Sequence, residues 1–286
     1  MLNSVVLLLI AMVSIQSGAS IAKKLFLVLG AAGTSTLRLL LATLILWLLY
    51  RPWKKKFTAD QLKKLFLYGA SLGFMNLLFY YAIIRIPLGI AVALEFTGPL
   101  SLAIIASKSK LDYLWAILAG VGIYLLLPIA GASDLDPVGI AFALGAGLFW
   151  ALYILSGQRA GSELHGGLTT TVGMAFAALV VLPFGAYSSG AALLDWELLP
   201  MGIGLAIFSS ALPYTLEMVS MKRLSTQTFG VLMSLEPAIA AIVGLIFLKE
   251  ELLLVQWVAI LCIILSSAGS TLTSRRAPAG ADHLGV

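Results

Sequence analysis

The sequence predicts an all-α integral membrane protein in which roughly ten transmembrane helices form two inverted five-helix repeats. Hydrophobic residues make up 60% of the 286 residues and charged residues only 11%, whereas an ordinary soluble domain has about 25% charged residues. Apolar runs of about 20 residues, the length that crosses a bilayer, recur along the chain. Short segments of the first half also recur in the second half, which indicates an internal repeat.

The apolar runs are bounded by charged residues or by glycine and proline. In the first half they cover residues 4–22, 31–50, 65–84, 88–107 and 111–128. In the second half they cover residues 138–156, 168–187, 199–221, 226–248 and 252–273. The first run ends in small residues, as a cleaved signal peptide does, but no basic residue precedes it, so we expect an uncleaved first helix.

The two sets of runs predict three parts of the chain. These are a first repeat at 1–130, a second, inverted repeat at 131–274, and a cytoplasmic tail at 275–286. At an offset of about 135 residues, the segment TTTV at 169–172 matches TSTL at 34–37. Because each repeat has an odd number of crossings, the second must be inserted upside down, an arrangement typical of secondary transporters.

Two further matches occur at an offset of about 138 residues, where Arg223 falls on Arg85 and Pro237 falls on Pro99.

The distribution of charged residues along the chain predicts the orientation of the protein in the membrane. With the amino terminus inside, most of the 18 basic residues fall in cytoplasmic segments and the outer loops are mainly acidic. Short cytoplasmic loops carry such an excess of Lys and Arg, so both termini are expected in the cytoplasm. The net charge of +5 is thus a topology signal and does not indicate nucleic-acid binding.

Charged side chains inside the predicted helices are the first candidate site residues, because each is costly there unless it is paired, hydrated or functional. Glu236 and Glu95 are expected to bind a substrate ammonium group or a proton, with a structural hydrogen bond to a neighbouring helix as the alternative. Arg38 and Glu95 are expected at a similar depth, roughly 10 Å below the outer face. Arg38 could therefore pair with Glu95 or support helix packing, or it could bind a substrate carboxylate.

Glu217 is the fourth charged candidate and lies near the inner end of its predicted helix. It could belong to the site, or it could pair at the membrane interface with Lys222 and Arg223, about one turn further on.

Proline residues next to two of the glutamates predict helix breaks that could act as hinges. Pro237 follows Glu236 directly, and Gly98 and Pro99 follow Glu95 within four residues. Proline removes a backbone donor and leaves a carbonyl without its helical partner, which can expose polar backbone to a cavity. An ordinary proline kink is the alternative.

Polar and aromatic side chains on the same helices could line a substrate cavity. The alternatives are an interfacial position for Trp and Tyr and a bond to a neighbouring helix for Asn and Gln. The candidates are Gln16, Asn76, Tyr80, Tyr81, Thr97, Trp150, Tyr153, Tyr214 and Ser234.

Several motifs are absent from the sequence. It has no G-x-x-x-x-G-K-[ST] segment for ATP phosphates, and His165 and His283 have no metal-ligand spacing. The single cysteine, Cys262, excludes an intramolecular disulfide. We therefore expect secondary transport without ATP or a cofactor, and no enzymatic activity.

The segments VALEFTGPL at 92–100 and SLEPA at 234–238, set in two five-helix repeats, resemble the EamA-type branch of the drug/metabolite transporter superfamily. Four further segments narrow the resemblance to members that export small neutral amino acids such as threonine and homoserine. They are SIQSGAS at 14–20, YILSGQRAG at 153–161, ALPYTLE at 211–217 and GSTLT at 269–273.

The resemblance implies efflux across the bacterial inner membrane through a central cavity between the two halves, linked to the proton-motive force. The expected partners are an amino-acid substrate, protons and the bilayer, and the expected assembly is a monomer or weak homodimer. Alternative substrates are aromatic amino acids, or drugs and lipophilic cations, and the alternatives of another class are a non-transporting membrane subunit and an intramembrane enzyme.

Overall fold

The computed structural model describes residues 2–86, 88–106, 110–126, 136–236, 239 and 254–274, and the regular elements in these ranges are all helical. The α-helices are α1 Leu2–Tyr50, α2 Ala59–Ile83, α3 Leu88–Ile105, α4 Lys110–Leu126, α5 Pro137–Glu163, α6 Gly166–Ser189, α7 Leu199–Ala206, α8 Leu212–Met221, α9 Thr226–Met233 and α10 Leu254–Ser274. Short 3₁₀ turns lie at Pro52–Lys54, Gly190–Leu194 and Trp196–Leu198.

The first two predicted crossings are two helices that join directly at a kink at Gly30, within the element α1. The connection is shorter than the interval 23–30 between the predicted runs, because α1 remains helical up to Gly30, where φ is 63° and ψ is −174°. This backbone conformation is favourable only for glycine. The segment before Gly30 contains no proline or glycine from Ala19 onward, so no residue there interrupts the helix earlier.

Five segments of the described chain are long and apolar enough to cross a membrane. They are Leu25–Tyr50, Ala59–Ile83, Pro137–Glu163, Gly166–Leu194 and Trp196–Met221. Large apolar side chains on these segments are exposed, including Leu48 and Leu148. Such surfaces suit contact with lipid, and the protein is accordingly a multi-pass membrane protein.

The helices enclose one main hydrophobic core. Helix α2 packs along α5 and α6, and α1 packs along α6, α7 and α8. Helix α3 contacts α5 and α9, while α4 contacts α10. Tyr68, Tyr153 and Phe96 are among the largest fully buried side chains of this core. The core therefore brings residues of both halves of the chain together.

Helix α3 packs closely against Gly147 of α5 at both Glu95 and Gly98. A Cβ atom on Gly147 would lie 2.5 Å from the Glu95 carbonyl oxygen, so only glycine permits this contact. Pro99 cannot donate a hydrogen bond to that same carbonyl, four residues earlier. Helix α3 nevertheless continues past Gly98 and Pro99 to Ile105. The close packing of Gly147 supports the helix where its own hydrogen bond is missing.

An ion pair joins the carboxyl end of α2 to the start of α5. Arg85 Nη1 lies 3.0 Å from Asp136 Oδ2, and Asp136 caps α5 by accepting a hydrogen bond from the backbone N–H of Val138 at 2.8 Å. The hydrogen bond from Arg85, followed by that from Val138, lowers the pKa of Asp136 from its ordinary value of 3.8.

We expect Asp136→Asn to lower the unfolding temperature slightly at pH 7. Because the pKa of Asp136 is lowered in the folded state, its stabilisation is fully present above the ordinary value and is lost as pH falls through the lowered value. Thermal unfolding of both proteins between pH 7 and pH 3 is the measurement. The difference should shrink towards the acid end, and a difference that grows as pH falls would contradict this assignment.

Candidate functional site

Arg38, on α1, lies at the centre of a buried polar cluster and is only 3% exposed. Its Nη2 donates a hydrogen bond to Asn76 Oδ1 on α2. Its Nη1 lies 3.4 Å from the carbonyl oxygen and 3.3 Å from the hydroxyl oxygen of Ser209. The guanidinium carbon is 5.0 Å from the ring centroid of Tyr80, a cation–π distance. Three helical segments thus hold the guanidinium group in place.

The carbonyl that Arg38 contacts is available because the helix beyond α7 is irregular. A π turn at Ile207–Ala211 joins α7 to α8. Pro213 has no N–H, so it can donate neither to Ser209, four residues earlier, nor to Phe208, five residues earlier. Arg38 contacts the first carbonyl, and the hydroxyl of Ser14 donates to the second at 2.6 Å. Both side chains come from α1, which therefore docks on this irregular turn.

Asn76 has a fixed orientation within the cluster. Its Nδ2 donates to the carbonyl of Leu72 at 2.8 Å, so Oδ1 points the other way. That oxygen accepts hydrogen bonds from Arg38 and from the hydroxyl of Tyr214, the latter at 3.0 Å. Asn76 and Tyr214 are both buried, with exposures of 6% and 5%. The amide therefore links the guanidinium group of α1 to the phenol of α8.

The possible ion pair between Arg38 and Glu95 is not formed. Neither residue has an oppositely charged partner within 4.0 Å among the described residues. The reason is that Asn76 and Ser209 take the guanidinium group, while Glu95 lies on α3 against α5. Arg38 Nε has no hydrogen-bond partner among the described residues. A buried cation surrounded by neutral groups suits an anionic ligand.

Glu217 belongs to the core and not to the membrane interface. Its side chain is 2% exposed, and Tyr153 donates a hydrogen bond of 2.9 Å to its Oε2. The alternative of a pair with Lys222 or Arg223 is wrong, because the Lys222 amine instead donates to the carbonyl of Leu164 at 2.6 Å. Helix α8 turns the glutamate inward, towards α5.

Aromatic rings connect Glu217 to the Arg38 cluster. The Tyr153 ring lies 5.9 Å from that of Tyr214, which bonds Asn76, and 5.2 Å from that of Tyr68. The hydroxyl of Thr170 on α6 also contacts the carbonyl of Tyr214 at 3.3 Å. A continuous set of contacts therefore extends from Arg38 to Glu217 across four helices.

Three glutamates form the acidic side of the candidate site. Glu95 is 8% exposed, and Glu236, which follows α9, is half-buried. Helix α9 packs against α3 and also contacts α8, so Glu236, directly after α9, follows a helix that touches those carrying Glu95 and Glu217. The site thus has a cationic side on α1 and an acidic side formed by α3, α8 and the segment after α9.

The other predicted site residues differ in how deeply they are buried. Trp150, 6% exposed, lies 5.9 Å from the Phe96 ring next to Glu95, and the buried hydroxyl of Ser234 donates to Val231 at 2.6 Å. Thr97 is exposed, and Tyr81 packs against Phe142 towards the end of α2. The side chain of Gln16 and the residue Pro237 lie outside the described residues.

Three residues that the sequence analysis did not select contribute to the cluster, namely Ser14, Ser209 and Pro213. The sequence does contain one indication of Ser209, namely Pro213 four residues later in the same apolar run. A proline at that spacing leaves the serine carbonyl without its helical hydrogen-bond donor. The acceptor role of Ser209 depends on which helix packs beside it, and no sequence motif contains that information.

We expect Tyr153→Phe to destabilise the protein by about 1–3 kcal/mol, the cost of leaving a buried acceptor without its donor. Thermal unfolding of the purified protein measures this. Tyr113→Phe, at an exposed position on α4, is the matched control and should leave the unfolding temperature unchanged. Equal effects of the two substitutions would contradict a structural role for the bond to Glu217.

Comparison with known proteins gives the family. The EamA-like transporter family model matches residues 137–272. The threonine/homoserine exporter RhtA of Salmonella typhimurium strain SL1344 is 53% identical over 275 residues, 96% of this chain and 93% of that protein. RhtA of Escherichia coli K12 is 53% identical over 273 residues, 95% of this chain and 92% of that protein.

A crystal structure of another protein matches the fold at a TM-score of 0.74, with 16% identity over 96% of this chain and 98% of the matched chain. This likeness concerns the fold alone. On the near full-length identity to the two exporters and the match to the family model, the chain belongs to the EamA-like transporter family.

Proposed function

We propose that the protein is a secondary transporter that exports threonine and homoserine across the bacterial inner membrane. The observation that carries this proposal is the 53% identity to threonine/homoserine exporters over 96% of the chain. The buried site supports it, because a cationic side and an acidic side are complementary to the carboxylate and ammonium groups of an amino acid.

The substrate carboxylate binds at Arg38 in this proposal. The unpartnered Nε supports this assignment, as do the hydroxyls of Thr34 and Ser35, which are buried and unpartnered among the described residues. Thr34 and Ser35 lie four and three residues before Arg38, so all three share one face of α1. Asn76 and Tyr214 hold the guanidinium group for this contact.

The substrate ammonium group binds at the acidic side, at Glu236 or Glu95. Both carboxylates lack an ion-pair partner in the described part of the chain. Trp150 packs on Phe96 next to Glu95, and Tyr153 donates to Glu217, while Tyr80 lies over Arg38 on the cationic side. This number of aromatic rings also favours a second candidate function, export of aromatic amino acids, which the experiment below distinguishes.

The two halves of the chain, 1–130 and 131–274, form inverted five-helix repeats with ten crossings in this proposal. Equivalent contacts support it. Gly69 on α2 packs against Gly173 on α6, and Gly202 on α7 packs against Leu37 on α1. Residues about 135 positions after Gly69 and about 135 positions before Gly173 lie close to Gly202 and Leu37. The second contact is therefore equivalent to the first with the two halves exchanged, as expected for a pseudo-two-fold axis in the membrane plane.

Alternating access is the proposed mechanism, with both termini in the cytoplasm. The excess of basic residues in alternate loops supports this orientation. Gly98 and Pro99 on one repeat and Pro237 on the other are the proposed flexing points. Pro99 sits where α3 lacks a hydrogen bond, which lowers the cost of bending there.

Glu217 is the proposed proton-binding residue, since it is buried with a neutral tyrosine as its hydrogen-bond partner. We expect Glu217→Gln to retain threonine exchange at constant pH, because glutamine can still accept from Tyr153. The same variant should lose accumulation driven by a pH gradient. Uptake into vesicles with and without that gradient is the measurement, and unchanged gradient-driven accumulation would contradict the assignment.

The experiment that tests the function is counterflow of labelled threonine in vesicles that contain only the purified protein. Homoserine, serine, phenylalanine and a lipophilic cation serve as competitors. We expect homoserine to block threonine accumulation. Stronger competition by phenylalanine or the cation would replace the proposed substrate, and no flux with folded protein would favour a non-transporting subunit.

A further inference from the structure

A strongly basic loop joins two membrane-spanning segments. Residues 51–58, called the basic loop here, follow the span Leu25–Tyr50 and precede the span Ala59–Ile83, so the loop lies at the membrane surface. Arg51, Lys54, Lys55 and Lys56 are all exposed, and none forms an ion pair with a described residue.

The nearby acidic groups are already paired. Asp60 lies 2.6 Å from the amine of Lys64, and Glu163 at the end of α5 also contacts that amine. Both carboxylates therefore contact Lys64, and neither forms an ion pair with one of the four cations of the basic loop. A ligand that binds this surface must be anionic.

The backbone of the basic loop is held firmly. Pro52 is buried in a 3₁₀ turn, and Phe57 packs against the hydrophobic core. Thr58 and Gln61 form a capping box, with both backbone N–H groups donating to the partner side chain at 3.2 Å. The cations are thus kept close together on a short fixed segment.

Arg51 has a backbone conformation that glycine usually supplies at the end of a helix. Its φ is 48° and its ψ is 57°, and it is the one non-glycine residue with positive φ in the described ranges. The left-handed conformation is unfavourable for a residue with a Cβ atom. An arginine at this position therefore costs stability, and a contact made by its guanidinium group would account for its presence.

Apolar side chains border the same loop. Trp53 is 55% exposed, Trp47 is 36% exposed and Leu62 is 39% exposed. Tryptophan prefers the level of the lipid headgroups. A free anion such as phosphate has no apolar part to contact these side chains, whereas a phospholipid has both a phosphate and acyl chains.

We propose that the basic loop is a binding site for an anionic phospholipid, with the headgroup phosphate held by Arg51 and Lys54–Lys56 and the glycerol region against Trp53. A basic residue near an anionic membrane surface contributes about 1 kcal/mol, or roughly a five-fold change in affinity. This proposal does not depend on the transported substrate.

The test is binding of dioleoylphosphatidylglycerol to the full chain in neutral detergent, measured by native mass spectrometry. Dioleoylphosphatidylcholine and inorganic phosphate are the comparison ligands. We expect the variant K54Q/K55Q/K56Q to bind phosphatidylglycerol on the order of 100-fold more weakly, the product of three five-fold losses. K110Q/R223Q, which removes two exposed cations elsewhere, is the matched control and should change affinity less than two-fold.

Arg51→Gly separates binding from folding. Glycine relieves the left-handed backbone, so the unfolding temperature in neutral detergent should not fall, while phosphatidylglycerol affinity should fall about five-fold. This variant also decides the test if the triple variant fails to fold. Unchanged affinity in the variants, equal losses in the control, equal binding of phosphatidylcholine, or displacement of the lipid by an equal concentration of inorganic phosphate would each overturn the proposal.

Discussion

Arg38→Gln is expected to lower threonine counterflow at low substrate concentration by on the order of 100-fold. Removing one partner of a buried charge pair costs about 2–5 kcal/mol, which is roughly 30-fold to several thousand-fold in affinity. The proposed partner is the substrate carboxylate. Asn76 keeps its hydrogen bond from Tyr214 in this variant, so the protein should still fold. Initial rates over a range of threonine concentrations are the measurement, with thermal unfolding as the check on folding.

Arg38→Lys is the matched variant because it keeps the charge. Lysine lacks the planar fork that contacts Asn76 and Ser209 together. We expect it to recover part of the exchange lost in Arg38→Gln. Full activity of Arg38→Gln in folded protein would contradict carboxylate binding at this residue. Equal loss in both variants with a lowered unfolding temperature would indicate a structural role instead.

Glu236→Gln is expected to cause a loss of similar size, on the order of 100-fold in exchange at low threonine concentration. Glutamine keeps the shape of the side chain but removes the charge that attracts the substrate ammonium group. The same measurement on Glu95→Gln shows which glutamate binds the substrate, since the larger loss in apparent affinity identifies it.

Glu197→Gln is the control for the substitutions Glu236→Gln and Glu95→Gln. Glu197 is exposed in a 3₁₀ turn before α7, and its loss should leave exchange unchanged. If both Glu236→Gln and Glu95→Gln retain full exchange and fold normally, the ammonium site lies elsewhere and the two-sided site is wrong.

Much of the helical structure could be predicted from the sequence because apolar runs of membrane length specify it directly. The described helices α5 and α6 cover the predicted runs 138–156 and 168–187, and α2 covers the run 65–84 except its last residue. The first two predicted runs are the exception, because they are joined without a long loop and the helical backbone of α1 is interrupted at Gly30. A pair of lysines at 23 and 24 suggested a loop, but charged residues do not by themselves end a helix.

The candidate site was predicted less completely. The burial of Arg38 and Glu95 follows from their position in apolar runs, but depth alone suggested that they pair. The choice of Asn76 and Ser209 as partners for Arg38 depends on which faces of α2 and of the π turn Ile207–Ala211 turn inward. The inward position of Glu217 has the same origin. Side-chain partners across helices are set by tertiary packing, which the apolar pattern does not encode.

The most direct test of the account is competition for labelled-threonine counterflow by threonine analogues that each lack one charge. Threoninamide keeps the ammonium group without the carboxylate, and N-acetylthreonine keeps the carboxylate without the ammonium group. The two-sided site predicts that threonine and homoserine compete fully and that both analogues compete at least 100-fold more weakly, as expected for loss of a buried charged contact. Competition by either analogue as strong as by threonine itself would contradict recognition of both ends of the amino acid.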